Sequence, residues 1–384
     1  MRTALVNARV LTPEGIRTDV AVLLRKGRIE ALAVPDDARL GSAHVEDLKG
    51  QLLAPGFIDT QVNGGGGVLF NDRPDAATIG AIGTAHRRFG TTGFLPTLIS
   101  DDLDVVAQAI AAVRTAMASG MPGILGIHIE GPFLNRTRRG VHDARHLRPL
   151  IPDIVPLLCS LRTGKTLVTL APEMTTPHVI AELTSNGVIV AAGHSEATHE
   201  QTSRAIAHGL RGFTHLFNAM SQLTAREPGM VGTALGDDRT WCGIIVDGHH
   251  VHPATLRLAL RCKRRDRFVL VTDAMPVVGS DRHSFELQGK TIRLADGACR
   301  DENGTLAGTA LDLASAIRNC VSLLGLDVAD ALRMASQYPA DYLGLSHELG
   351  RIAPGLRANL TLLDDSLHVR RTWIDGVPSD PEAG

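Results

Sequence analysis

Between residues 52 and 273 the chain alternates short apolar runs with amphipathic stretches. The apolar runs are 52–62, 92–98, 123–130, 166–171, 188–194, 211–217, 242–249 and 267–273, as in GILGIHIE and RFVLVTD. Each has the length and continuity of a strand buried on both faces. Runs with helical spacing lie between them, at 75–89, 103–119, 176–186, 197–208 and 253–264, and two more follow at 311–324 and 327–343. Strands alternating with helices predict a parallel sheet, and eight strands are the number that closes a (β/α)8 barrel. An open doubly wound sheet is the alternative. The two ends read differently. Residues 3–11, 19–34 and 350–377 alternate apolar and polar, with turns at Lys26-Gly27 and Asp375-Gly376. The expected architecture is therefore a TIM-like barrel over 54–344, with a small β-sandwich domain formed by both chain ends, 1–53 plus 345–384.

In a barrel, chemistry sits where strands run into the loops that follow them. The polar residues at those exits are Gln61 and Asn63, Glu130, His194, His215, His249 or His250, and Asp273. One carboxylate and two imidazoles can hold a divalent cation and leave a position for water. An aspartate beside them can take the water's proton and return it to a leaving nitrogen. Any one of these residues alone is more simply a hydrogen-bonded strand-end residue. It is the recurrence at most exits of one mouth that points to a site.

Composition narrows the classes. The 384 residues are 44% apolar and 21% charged, which is ordinary for a soluble globular chain. Formal charge is −2 and the isoelectric point about 6.8, so a nucleic-acid or anionic-membrane partner is not expected. No apolar run approaches the roughly 20 residues of a membrane span, and the N-terminal stretch lacks a signal-peptide core. The five cysteines (159, 242, 262, 299, 320) are scattered, which suits a reducing cytoplasm and excludes a cysteine zinc site. Gly-Lys-Thr at 164–166 resembles the end of a phosphate loop, but Cys159 stands where its first glycine belongs. Arg226, in TAREPGMVG, which reads as a glycine- and proline-containing loop just beyond the sixth strand, is a candidate phosphate ligand.

The segments APGFIDTQVNGGGG (54–67), GIHIEGPFLN (126–135), RGVHD (139–143), AAGHSEAT (191–198), THLFNAM (214–220), REPGMVG (226–232), CGIIVDGHHVH (242–252), LVTDAM (270–275) and DENGTLAGTAL (301–311) resemble the amidohydrolase superfamily. Within it they are most similar to the N-acetylglucosamine-6-phosphate deacetylase family, almost end to end. The resemblance implies that Glu130, His194 and His215 bind one divalent metal per subunit: zinc first, with Fe2+, Mn2+ or Co2+ as alternatives. It makes Asp273 the general base and then the acid, with His142 helping to hold the amide carbonyl. It implies a phosphorylated amino-sugar substrate lined by Gln61, Val141, His142, Asn218, Ala219, Arg226, His249 and His250, and by the backbone of Leu306, Ala307 and Gly308. A homodimer would bring Arg226 and His250 close to the subunit interface. The implied reaction releases acetate in amino-sugar catabolism and cell-wall sugar recycling. Many superfamily members carry His-x-His at the end of the first strand for a second metal. Here those positions are Gln61 and Asn63, and amides compete poorly with imidazole for a transition metal. The rivals are a deacetylase for an epimeric hexosamine phosphate, a cyclic-amide hydrolase, and a catalytically dead barrel acting as a sugar-phosphate sensor.

Overall fold

The computed structural model describes residues 2–34 and 36–379. Met1, Pro35 and 380–384, which the expected small domain includes, lie outside the described residues.

The eight apolar runs form eight parallel strands that neighbour one another in chain order. They are β1 (Phe57–Val62), β2 (Thr91–Ile99), β3 (Gly126–Glu130), β4 (Lys165–Leu170), β5 (Ile189–Ala192), β6 (Gly212–Phe213), β7 (Trp241–Ile244) and β8 (Phe268–Leu270). Between β8 and β1 the circle closes through the Asp273 N–H to the Gln61 carbonyl, 2.9 Å, and a bridge between Val62 and Ala274. This is the expected barrel, and it places every strand exit on one rim.

Helices cover the outside: α1 (Ala76–Arg87), α2 (Leu103–Ala118), α3 (Val155–Leu158), α4 (Pro177–Ser185), α5 (His199–Ala207), α6 (Gly229–Gly236), α7 (Pro253–Cys262), α8 (Leu313–Leu324), α9 (Val328–Ala335) and α10 (Gln337–Leu343). Their starts are written locally. Asp75 accepts from the Thr78 N–H, Asp312 from Ser315, and Thr198 with Gln201 forms a reciprocal capping box. No described helix is long and apolar enough to cross a membrane.

Three sequence expectations change. The run 52–62 is two strands, not one. It breaks at Gly56, and Leu52–Pro55 leaves the barrel to pair with Leu360–Leu363 and Arg9–Thr12. The helix expected over 327–343 breaks at Ser336, whose side chain bonds back to the Leu332 carbonyl. The segment read as a loop around REPGMVG becomes helix from Gly229, because burial of Met230, Val231 and Ala234 outweighs the roughly 1 kcal/mol each glycine costs a helix.

The chain ends build two sheets. One orders Arg28–Ala33, Ala21–Arg25, Arg2–Val6 and His44–Asp47. The other orders Val377–Ser379, Val369–Ile374, Leu360–Leu363, Leu52–Pro55, Arg9–Thr12 and Gly15–Arg17. Leu5, Val22, Ile29, Leu53, Leu360 and Trp373 fill the space between them. Both expected turns are present. Lys26-Gly27 and Asp375-Gly376 each have two positive φ values, the geometry of a tight right-twisting hairpin. After β8 the chain adds an antiparallel meander, Ser284–Leu287, Lys290–Ala295, Ala298–Arg300 and Leu306–Thr309, which folds back over the barrel mouth.

Candidate active site

Glu130, His194 and His215 come from the ends of β3, β5 and β6, and all three are buried. Glu130 Oε1 lies 3.1 Å from His194 Nε2 and 3.0 Å from His215 Nε2, and the two nitrogens are 3.0 Å apart. Three ligand atoms thus form a nearly equilateral triangle. Its edges are close to the ~3.3 Å edge of a tetrahedron drawn with zinc–nitrogen bonds of 2.0–2.1 Å. His194 Nδ1 donates to the Arg138 carbonyl at 2.8 Å, which leaves Nε2 as a lone pair aimed into the triangle. A carboxylate and imidazole lone pairs at such separations repel unless a cation or a shared proton stands among them. Burial alone would raise the Glu130 carboxyl, but His194 and His215 outweigh it and hold it well below the usual range. Burial lowers His215, and Glu130 reverses that and raises it. The residues fit a divalent ion.

The backbone there is strained. His194 (φ 49°), His215 (φ 35°) and Asp273 (φ 51°) are non-glycine residues in the left-handed region, each at a cost of about 1–2 kcal/mol. The strand ends curl to bring these side chains over the barrel axis.

Asp273 follows β8. Asn63 Nδ2 donates to its Oδ1 at 2.6 Å, and Gln61 Nε2 donates to the same oxygen at 3.2 Å and to Glu130 Oε2 at 3.1 Å. The two strand-1 amides are therefore occupied as donors to the site's carboxylates. Burial first, then the charge of Glu130, pushes Asp273 up to about 6. His142 enters from the loop after β3. Burial, then His194, lowers it to about 3, so it is a neutral imidazole at neutral pH. Its ring meets His194 edge to face at 4.5 Å, and its Nδ1 is engaged by Ser100 at the end of β2.

Glu130, His142, His194, His215 and Asp273 line a cavity of about 190 Å3. Val141, Asn218, Ala219, His250, Leu306 and Gly308 are among the other residues of its wall. Gln61 lies behind it, bonded to both carboxylates. Three expected residues have side chains that stand apart. Ala307 is fully buried in the apolar cluster beneath the meander, facing opposite to its neighbours as strand alternation requires. His249 is exposed and packs beside Gly297, and Arg226 is exposed on the loop before α6; neither is in the cavity wall. Between the two adjacent histidines the structure therefore selects His250. Asp247 makes the choice: its Oδ2 accepts from His250 Nδ1 at 2.6 Å, both side chains being buried. Burial would raise Asp247, but His250 holds it down at about 2.

Sequence reasoning missed Ser100, Asp247 and Asp59. Asp59 lies under the site, where burial pushes its carboxyl up to about 7 despite the hydrogen bond from Thr272 Oγ1. The signal was present for Asp247, three residues before a histidine at a strand exit. Asp59 sits inside an apolar strand and Ser100 has no charge, so neither stands out along the chain.

Residues 52–378 match the amidohydrolase family. The chain belongs to that family. The amidohydrolase is 43% identical to an N-acetylgalactosamine-6-phosphate deacetylase of Shewanella sp. (strain ANA-3), over 96% of this chain and 94% of the relative. It superposes on the crystal structure of N-acetylglucosamine-6-phosphate deacetylase from Pasteurella multocida with a TM-score of 0.95 and 35% identity, covering 99% of this chain and 100% of that one. A mutant N-acetyl-D-glucosamine-6-phosphate deacetylase from Mycobacterium smegmatis, in complex with N-acetyl-D-glucosamine-6-phosphate, matches at TM-score 0.89 and 31% identity over 98% of both chains. Metal dependence is general in the family, and Glu130, His194 and His215 are this amidohydrolase's candidate ligands.

Proposed function

We propose that this amidohydrolase removes the acetyl group from N-acetyl-D-glucosamine 6-phosphate, giving D-glucosamine 6-phosphate and acetate. The observation that carries the reading is the half-buried Asp273 carboxylate, held beside the Glu130–His194–His215 triangle at the mouth of a deacetylase-like barrel. One divalent ion held by that triangle, zinc before Fe2+, Mn2+ or Co2+, would supply Lewis acidity to a water and to the acetamide carbonyl. Asp273 takes the proton of the attacking water. It then gives that proton to the amine nitrogen, which cannot leave an amide unprotonated at neutral pH. His142 donates a hydrogen bond to the carbonyl oxygen as that oxygen gains charge. His250, steadied by Asp247, and Asn218 face the sugar phosphate.

Arg226 is exposed in the single chain, and we place it in the phosphate site of a partner subunit in a homodimer. The five cysteines are free, which supports a cytoplasmic location. Arg226→Ala should raise KM for the phosphorylated sugar about tenfold or more, since hydrogen bonds to charged groups are worth ~1.5–3 kcal/mol. Metal content should be unchanged, and an unchanged KM removes Arg226 from the site.

A second reading is favoured by the Shewanella relative: the galactosamine epimer as substrate. Acetate release should be measured from the 6-phosphates of N-acetylglucosamine, N-acetylgalactosamine and N-acetylmannosamine, and from unphosphorylated N-acetylglucosamine. The highest kcat/KM should belong to the glucosamine phosphate. A higher value for galactosamine moves the assignment to that epimer, and no acetate from any of them overturns the function.

A further inference from the structure

We propose that Ser100 is a positioning residue that sets the tautomer of His142, and that Gln288 holds Ser100 and the His142 loop together. The inference rests on the reading of His142 as the donor to the substrate carbonyl. Ser100 stands at the exit of β2 and is wholly buried, as is almost all of His142. The Ser100 backbone N–H points at His142 Nδ1 over 3.3 Å, and Ser100 Oγ lies 2.7 Å from the same nitrogen. A backbone amide always carries its hydrogen and cannot turn it aside. His142 Nδ1 must therefore present a lone pair, which the serine hydroxyl also approaches as a donor. The ring's one hydrogen is then on Nε2, the nitrogen left for the cavity that His142 lines. The other tautomer would set N–H against N–H at Ser100 and offer the substrate's carbonyl oxygen a lone pair, a repulsion where stabilisation is required.

The rest of the arrangement keeps Ser100 in place. A Cβ on Gly131, directly after Glu130, would lie only 2.3 Å from Ser100 Oγ, so the hydroxyl occupies space that only glycine leaves open. Gln288 sits at the tip of the hairpin joining Ser284–Leu287 to Lys290–Ala295. Its Nε2 donates to the Ser100 carbonyl at 2.6 Å, and its Oε1 accepts from the Asp143 N–H at 2.7 Å. One amide thus links the residue that sets the tautomer to the neighbour of the residue whose tautomer is set. The same meander carries Leu306 and Gly308 into the cavity wall.

The test compares kcat, KM and metal content for Ser100→Ala and Gln288→Glu, each alone and in a His142→Ala background. Nitrogen-15 spectra of histidine-labelled protein accompany it, with the His142 signals assigned by their loss in His142→Ala. The glutamate keeps the acceptor for Asp143 but cannot donate to the Ser100 carbonyl. Ser100→Ala keeps the backbone N–H, and with it the tautomer, but loses the 2.7 Å hydroxyl contact that steadies the ring, so each single variant should lower kcat about tenfold, short of the ~10²–10³ that loss of an oxyanion donor itself costs. KM and metal content should stay close to those of the unaltered protein, and the effect should vanish once His142 is alanine. The spectra should show Nδ1 bare and Nε2 protonated. A proton on Nδ1, unchanged kcat in both variants, or an equal loss with and without His142 overturns the proposal. A His142→Ala variant with normal kcat instead removes His142 from the mechanism, while the spectra still decide its tautomer.

Discussion

Asp273→Asn should keep its metal and lose about 10²–10⁴ in kcat, the usual contribution of a general acid–base group. The substitution is nearly isosteric, and the asparagine oxygen can still accept from Asn63, so the site should keep its shape. What disappears is the group that, alone among the described residues of the site, can both take a proton from water and pass it to nitrogen. Glu130 is committed to His194 and His215, and His142 is a neutral imidazole whose Nδ1 is engaged by Ser100. Burial and the Glu130 charge raise Asp273 to about 6, close enough to neutrality that it is mostly carboxylate at pH 7 and yet basic enough to accept a proton. A cation in the adjacent triangle favours the carboxylate further. Steady-state kinetics beside elemental analysis decide the matter: near-normal turnover with metal retained would assign the proton transfer to another group.

Removing the metal should abolish acetate release, and a single equivalent of divalent ion per chain should restore it. The expected stoichiometry follows from the strand-1 amides. Gln61 donates to both Glu130 and Asp273, and Asn63 donates to Asp273, so the positions that could serve a second ion are hydrogen-bond donors pointed at the carboxylates. His194→Ala should have the same effect as chelation, because two remaining ligands cannot hold a tetrahedral ion against water. Activity that survives exhaustive chelation would remove the metal from the reaction. Two tightly bound ions per chain would overturn the role given to Gln61 and Asn63.

The barrel was readable because its strands are buried on both faces, which forces long apolar runs, and because polar residues interrupt those runs at the strand exits. Glu130, His194, His215 and Asp273 announce themselves as charged or imidazole groups ending otherwise greasy strands. Segments whose state depends on what they touch were not readable. The glycine-rich stretch from Gly229 is helical because of burial that its own composition does not forecast. The strand at 52–55 leaves the barrel because its partner lies about three hundred residues away, at Leu360–Leu363.

The amino-acid order by itself determined that eight barrel strands alternate with helices, that they run parallel, and which side chains end them, since these follow from short-range periodicity. Only the folded chain decided that His250 rather than His249 faces the cavity, that Gln61 joins two carboxylates, and that Ser100 engages one nitrogen of His142. Those are matters of direction and of a few ångströms between residues far apart in sequence, and no local pattern encodes them.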